Sequence, residues 1–318
     1  MGRKQISATV SGIAVLAIAL LGSSPAEAGV LRNLGSDGGI VYSAPAGETN
    51  AVTISVLPRS PGADYPLVTF SDAGSDITVG AGCELASAPL EPSTAICEGF
   101  DLGSINISLG DGDDQLSFEG DANGVSSLNV LAGSGQDIIS GSPVADDIHG
   151  GPGSDFLAGR GSDDALYGND SNDQLLGGAG ADNLQGGFGN DKVYGGKGND
   201  LVGGDFSIGY GSYQGNDLLY GGAGDDVLGA WGGTNRLEGD SGNDTLWSKG
   251  NNHIDAGRGS NVVNLLPAYD RNQLVCSTGS NHLYWMEKPH HVPGKPPWVT
   301  TGSAGFGSLW VYIRTSWC

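Results

Sequence analysis

From Ala132 onward an aliphatic residue recurs at every ninth position. Written in rows of nine, the chain runs eight rows without a gap to Gly203. The eighth column reads Ile139, Ile148, Leu157, Leu166, Leu175, Leu184, Val193 and Val202. Gly204 to Gly211 interrupt the count. Four further rows, Ser212 to Trp247, then continue the column with Leu219, Leu228, Leu237 and Leu246. The last three positions of each row predict a short strand whose middle side chain turns inward, because side chains alternate along a strand. The first six positions, rich in Gly, Asn and Asp, predict a turn.

The polar pattern is as regular. The sixth column reads Asp137, Asp146, Asp155, Asp164, Asp173, Asp182, Asp191 and Asp200, then Asp217, Asp226, Asn235 and Asp244. Asp makes up about 15% of residues 101–247, so eight consecutive hits would arise by chance with a probability on the order of 10⁻⁷. That sets aside a merely solvated acidic stretch. The rows decay at the end: Asn261 takes the sixth position before Val263, and a residue is missing near Lys249 to Asp255.

The flanks differ in composition. Residues 29–120 predict a small N-terminal β-domain, with strands at Ile40 to Tyr42, Ala51 to Leu57, Leu67 to Phe70 and Asp76 to Val79 between turn residues. It merges into the solenoid through Ile105 to Leu109, which leads into an outlying row at residues 109–117. The repeat region is set at 132–264, with the insertion 204–211 read as a surface loop. Residues 265–318 hold four of the six tryptophans and few acidic groups, and read as a cap over the open end of the solenoid. An aromatic ligand platform is the alternative for this segment. His290-His291 reads as an ordinary loop pair.

Charge narrows the functions. The chain carries 36 acidic against 14 basic residues among 318, a formal net charge of −22, and 57 of its residues are Gly. Nucleic acid and anionic membrane surfaces are disfavoured partners, since binding them rests on Lys and Arg. Polyvalent cations are the natural counterpart. Residues 1–28 read as a signal peptide: Arg3 and Lys4, an apolar stretch Ile13 to Leu21, and a small-x-small site at Ala26-Glu27-Ala28. The expected location is therefore extracellular, and no other segment is long and apolar enough to span a bilayer. Cys83, Cys97, Cys276 and Cys318 allow three disulfide connectivities. Pairing Cys83 with Cys97 and Cys276 with Cys318 keeps each bridge within one compositional region.

The row Gly150-Gly151-Pro152-Gly153-Ser154-Asp155-Phe156-Leu157-Ala158, and those starting at Gly177, Gly186, Gly195 and Gly221, match GGxGxDxUx, where U is a large aliphatic. These rows resemble the calcium-binding nonapeptides of the RTX, or hemolysin-type, family of secreted bacterial proteins. The resemblance covers residues 132–264. It implies an all-β fold, a parallel β-roll in which two rows make one coil. Asp137, Asp155, Asp173 and Asp191 would then line one edge, and Asp146, Asp164, Asp182 and Asp200 the other.

Coils would stack about 4.8 Å apart. Two carboxylates at that spacing repel by roughly 3.5 kcal/mol at an effective dielectric near 20. One short aliphatic per row does not offset this together with the entropy of ordering nine residues. A bound cation would. Ca2+ suits the donors because it is hard and takes six to eight oxygens in flexible geometry. Pairs two rows apart give six sites in the first block. Asp191 with Asp217, Asp200 with Asp226, and Asp226 with Asp244 raise the number to nine. Asn235 lacks the charge, so its sites are expected to be weak or empty. No HExxH and no GxSxG is present, and Gly239-Asp240-Ser241-Gly242 falls in nonapeptide register. The expected protein is not an enzyme. It is a secreted calcium-binding module that folds on Ca2+ and acts structurally or in interactions, with a cell-envelope or polysaccharide partner. The alternative is an extracellular hydrolase or carbohydrate-binding protein with its site in the C-terminal region.

Overall fold

The computed structural model describes residues 29–313 apart from 34–38, 58–66, 75, 81, 87–93, 99–101, 123, 206–214, 267–272, 276–281 and 288–309. The leader, the Cys276–Cys318 bridge, His290-His291, Trp298 and Trp317 therefore lie outside the described residues. Among the described residues all regular structure is strand. Successive strands alternate between two sheets. Phe156–Gly161 pairs in parallel with Gln174–Ala179, while Ala165–Asp170, between them in sequence, pairs with Asn183–Phe188 in the other sheet.

The aliphatic column sets this register. In one sheet Ile148, Leu166, Leu184, Val202, Leu228 and Leu246 stand opposite one another in turn. In the other the series is Ile139, Leu157, Leu175, Val193, Leu219 and Leu237. All are buried and together form the interior of a parallel β-roll with two rows per coil. A one-residue slip would turn the whole column to solvent, so the aliphatic column holds each strand in this register.

Two irregularities of the count are absorbed without breaking either ladder. Across the insertion, pairing continues from Val193 to Leu219 and from Val202 to Leu228. Gly204 and Asp205 still stand at the first two turn positions and Gly215, Asn216 and Asp217 at the last three. The extra residues therefore enter inside a turn, at its third position, rather than between two rows. Phe206, Ile208 and Tyr210 lie outside the described residues. At the far end Leu237 pairs with Ile254 and Leu246 with Val263, one residue short of the usual step.

Both sheets run on past the rows. Toward the N-terminus, Ile40–Ser43 lies parallel to Gly103–Asp111, and Ala51–Leu57 parallel to Gln115–Gly120. Beyond them the pairing turns antiparallel, through Leu67–Asp72, Thr94–Glu98 and Cys83–Leu85 on one sheet and Gly29–Asn33 on the other. The expected Cys83–Cys97 disulfide joins the last two strands of the first of these. Tyr42 and Phe70 are fully buried here, and the Tyr42 hydroxyl donates to Asp72 Oδ2 at 2.6 Å. Toward the C-terminus Gln273–Val275 and His282–Glu287 add one further parallel strand to each sheet, and Trp310–Ile313 closes one of them antiparallel.

Each row sends one aliphatic side chain into the narrow space between the two sheets, so a truncation there leaves a void. Leu175→Ala is expected to lower folding stability by about 3 kcal/mol. Leu201→Ala, at an outward position 51% exposed, is expected to change it by less than about 0.5 kcal/mol. Denaturant titration of both variants checks the difference.

Candidate metal centre

Most turns, though not those opening on Ala132 and Ala230, begin on a glycine that has no room for a side chain. A Cβ added at Gly150 would overlap Oδ2 of Asp155 in the same row and would also approach the carbonyl oxygen of Gly168 in the next coil. Gly159, Gly168, Gly177, Gly195, Gly221 and Gly239 stand in the same relation to Asp164, Asp173, Asp182, Asp200, Asp226 and Asp244. The second glycine has a different reason. Gly151 has φ +119°, and a Cβ there would collide with the carbonyl of Gly133 one coil away. Together these positions bring a carboxylate oxygen and a main-chain carbonyl of the next coil close to one point.

The sixth-column carboxylates form two columns, one along each edge, and each hydrogen-bonds the coil before it. Asp155 Oδ1 accepts the N–H of Asp137 at 2.8 Å, and Asp173 Oδ1 accepts that of Asp155 at 2.8 Å. On this edge the series runs from Asn50 through Asp114, Asp137, Asp155, Asp173, Asp191 and Asp217 to Asn235 and Asn252. On the other it runs from Asp146 through Asp164, Asp182, Asp200, Asp226 and Asp244 to Asn261. The edges predicted for the first eight aspartates are those observed.

The second oxygen is a different matter. Oδ2 of Asp114, Asp137, Asp155, Asp164, Asp173, Asp182, Asp191, Asp200, Asp217, Asp226 and Asp244 is buried and has no hydrogen-bond partner. A buried carboxylate oxygen left bare is costly. Its recurrence along both edges marks a shared ligand rather than a local defect. The donor set is carboxylate and carbonyl oxygen, which fits a hard cation such as Ca2+. Among the described residues no three His, Cys, Asp or Glu side chains gather around one point, so the oxygens come from stacked turns rather than from a side-chain cluster.

Burial, more than mutual repulsion, makes these groups reluctant to ionise. Burial raises Asp155 to about 6, opposed by the Asp137 N–H. Asp164 and Asp173 rise to about 8, first from burial and then from neighbouring carboxylates. Asp217 and Asp244 rise to about 7 for the same leading reason. The sequence argument placed the penalty in charge repulsion between stacked carboxylates; in the structure desolvation leads.

Four features escaped the sequence reading. Asp114, in the outlying row, belongs to the first column and carries the same bare oxygen. Asn50, far upstream, heads that column through its N–H to Asp114 Oδ1 at 2.6 Å. Asp146 departs from the pattern: its Oδ2 accepts the Ser142 N–H at 2.7 Å and its Oδ1 the Ser142 hydroxyl at 2.5 Å. The fifth column, rich in Asn and Asp, makes an exposed ladder of opposite direction. Asp163 Oδ1 accepts the N–H of Ala181 and Asn172 Oδ1 that of Asn190, each from the following coil at 2.7 Å. The Asx bias of that column was present in the rows. Where the sixth residue is Asn, the amide nitrogen turns back on the protein: Asn235 Nδ2 donates to the Gly232 carbonyl and Asn261 Nδ2 to that of Ala256, both at 2.7 Å.

A carboxyl whose pKa is raised by folding binds more protons in the wound state than in the unwound one. The metal-free roll is therefore penalised in full above the folded values of about 6 to 8, and the penalty shrinks as pH falls from them toward the ordinary carboxyl value of 3.8. Circular dichroism in excess EGTA is expected to show more strand at pH 5 than at pH 8; the opposite trend would contradict this origin of the penalty.

Comparison with known families agrees with this chemistry. The family model described as the RTX calcium-binding nonapeptide repeat matches the chain in four copies, at residues 140–175, 167–202, 213–247 and 248–265. A search of curated proteins found no match. Among the described residues no helix is long and apolar enough to cross a membrane. The paired columns of buried aspartates run through the matched residues, and the chain carries RTX-type calcium-binding nonapeptide repeats.

Proposed function

We propose that this chain is a secreted module whose roll winds when calcium binds and then serves as a rigid structural or interaction surface. One observation carries the reading: eleven buried aspartate oxygens without a hydrogen-bond partner, arranged along two edges. Bound calcium supplies positive charge and accepts oxygen donors at these positions. Asp Oδ2 atoms of stacked turns would hold it together with turn carbonyls such as that of Gly168. Neighbouring pairs with bare oxygens number five on one edge, from Asp114 to Asp217, and four on the other, from Asp164 to Asp244. This supports about nine ions, with Asp114 paired to Asp137 and without the pair Asp146 and Asp164.

The chain's own residues do the rest. The Oδ1 bonds orient each carboxylate, and the aliphatic column supplies an interior that becomes dry only once the turns have stacked. The leader at residues 1–28 supports export, and sites of the extracellular class fill at roughly 10⁻⁴ to 10⁻³ M calcium. The roll would then wind after export rather than before it, as in metallo-domains whose binding free energy is folding free energy.

Calcium titration followed by circular dichroism tests this. The expected result is a cooperative gain of strand signal that EGTA reverses. Asp155→Ala and Asp173→Ala should each raise the midpoint calcium concentration, by roughly tenfold, because the ligand charge falls. A spectrum that neither calcium nor EGTA alters would overturn the proposal.

A further inference from the structure

The edge that carries Asp146 ends differently from every other level. Asp146 is 3% exposed, yet both its oxygens are already engaged by Ser142, through the main-chain N–H and the hydroxyl. The fourth turn position holds Val144 where Gly153, Gly180, Gly189, Gly198 and Gly224 stand in other rows, and the Val144 N–H donates to the Ser142 hydroxyl at 3.2 Å. This turn is closed by its own side chains.

One coil on, Arg160 stands at the second turn position, where Gly151, Gly178, Gly187 and Gly196 stand in other turns. It holds φ +86°, a region that side-chain-bearing residues seldom adopt. Its side chain runs back along the edge. Nη1 donates to the carbonyl of Gly141, which opens the Asp146 turn, at 3.1 Å, and to that of Phe118, on Gln115–Gly120, at 2.7 Å. Elsewhere the first-position carbonyl lies near a bare carboxylate oxygen of the coil before, as Gly168 does with Asp155. At this end no aspartate of the column precedes Asp146. A guanidinium is permanently charged and carries several donors in a fixed plane, so it can bind two carbonyls at once.

We propose that Arg160 and Ser142 together form a metal-free end-cap for this edge, with the Arg160 guanidinium as a resident cation at a level where other turns present bare oxygens to calcium. This rests on the calcium reading above and adds to it. The cap ties the N-terminal coils, whose interior holds Ile40, Val52, Ile54 and Phe118, to the first turns of the Asp146 edge. It gives calcium-driven winding a fixed base, and it removes one site from the count.

The test uses the full chain. In the triple variant Ser142→Gly, Val144→Gly, Arg160→Gly, the Asp146 turn and its neighbour are rewritten to match the other rows. Calorimetric titration is expected to find one more calcium per chain than in the wild type. Arg160→Gly alone is expected to speed amide exchange in EGTA across residues 118–146 and to raise the calcium midpoint several-fold, and Arg160→Lys to restore only part of either. A triple variant that folds in calcium and binds the wild-type number overturns this proposal alone, as does an Arg160→Gly variant with unchanged exchange and midpoint. A wild-type chain that takes up no calcium overturns the calcium reading and this proposal with it.

Discussion

A carboxylate has two oxygens, and in this protein the two are treated unequally. One is bound by a main-chain N–H of the preceding coil and is thereby fixed in direction. The other is driven into the turn and left without a donor. The protein supplies orientation and burial but withholds the compensating charge. Two distinctive traits of the roll follow from that asymmetry: the first-position glycine that has no space for a Cβ, and the raised carboxyl pKa values.

Where the compensation is internal, the residue type changes. Asn235 and Asn261 exchange the bare oxygen for an amide nitrogen that donates to a carbonyl close by in the chain. Asp146 keeps its charge but borrows two donors from Ser142. These substitutions cluster toward the ends of the two columns, where stacked partners run out. The columns are thus bounded by chemistry that satisfies itself, and the levels between are the ones that keep a bare carboxylate oxygen.

Much of this was legible in the rows. The nine-residue period marked the strands and their inward side chains, and the resemblance to the RTX nonapeptides implied two rows per coil, which is what places Leu157 beside Leu175 and Leu166 beside Leu184. The aspartate columns told which residues would share an edge. The period could not reveal partners lying outside it. Asn50 enters its column some 64 residues before Asp114, and no spacing rule links the two. Nor could it reveal that Asp146 is satisfied, since a serine four residues upstream reads as ordinary turn composition. The leading penalty was misjudged for a related reason: spacing gives the distance between charges directly, whereas desolvation depends on how completely the turns close over them.

The displaced turn between Asp205 and Gly215 has a consequence of its own. Both ladders pass it in register, and the Asp205 carboxylate accepts the Gly215 N–H at 3.2 Å, pinning the two ends together. Chain length at the third turn position is thereby uncoupled from the winding of the solenoid. Such a position behaves as a socket: a segment of foreign sequence can be displayed on the rim of the roll while the coils beneath it keep their stacking.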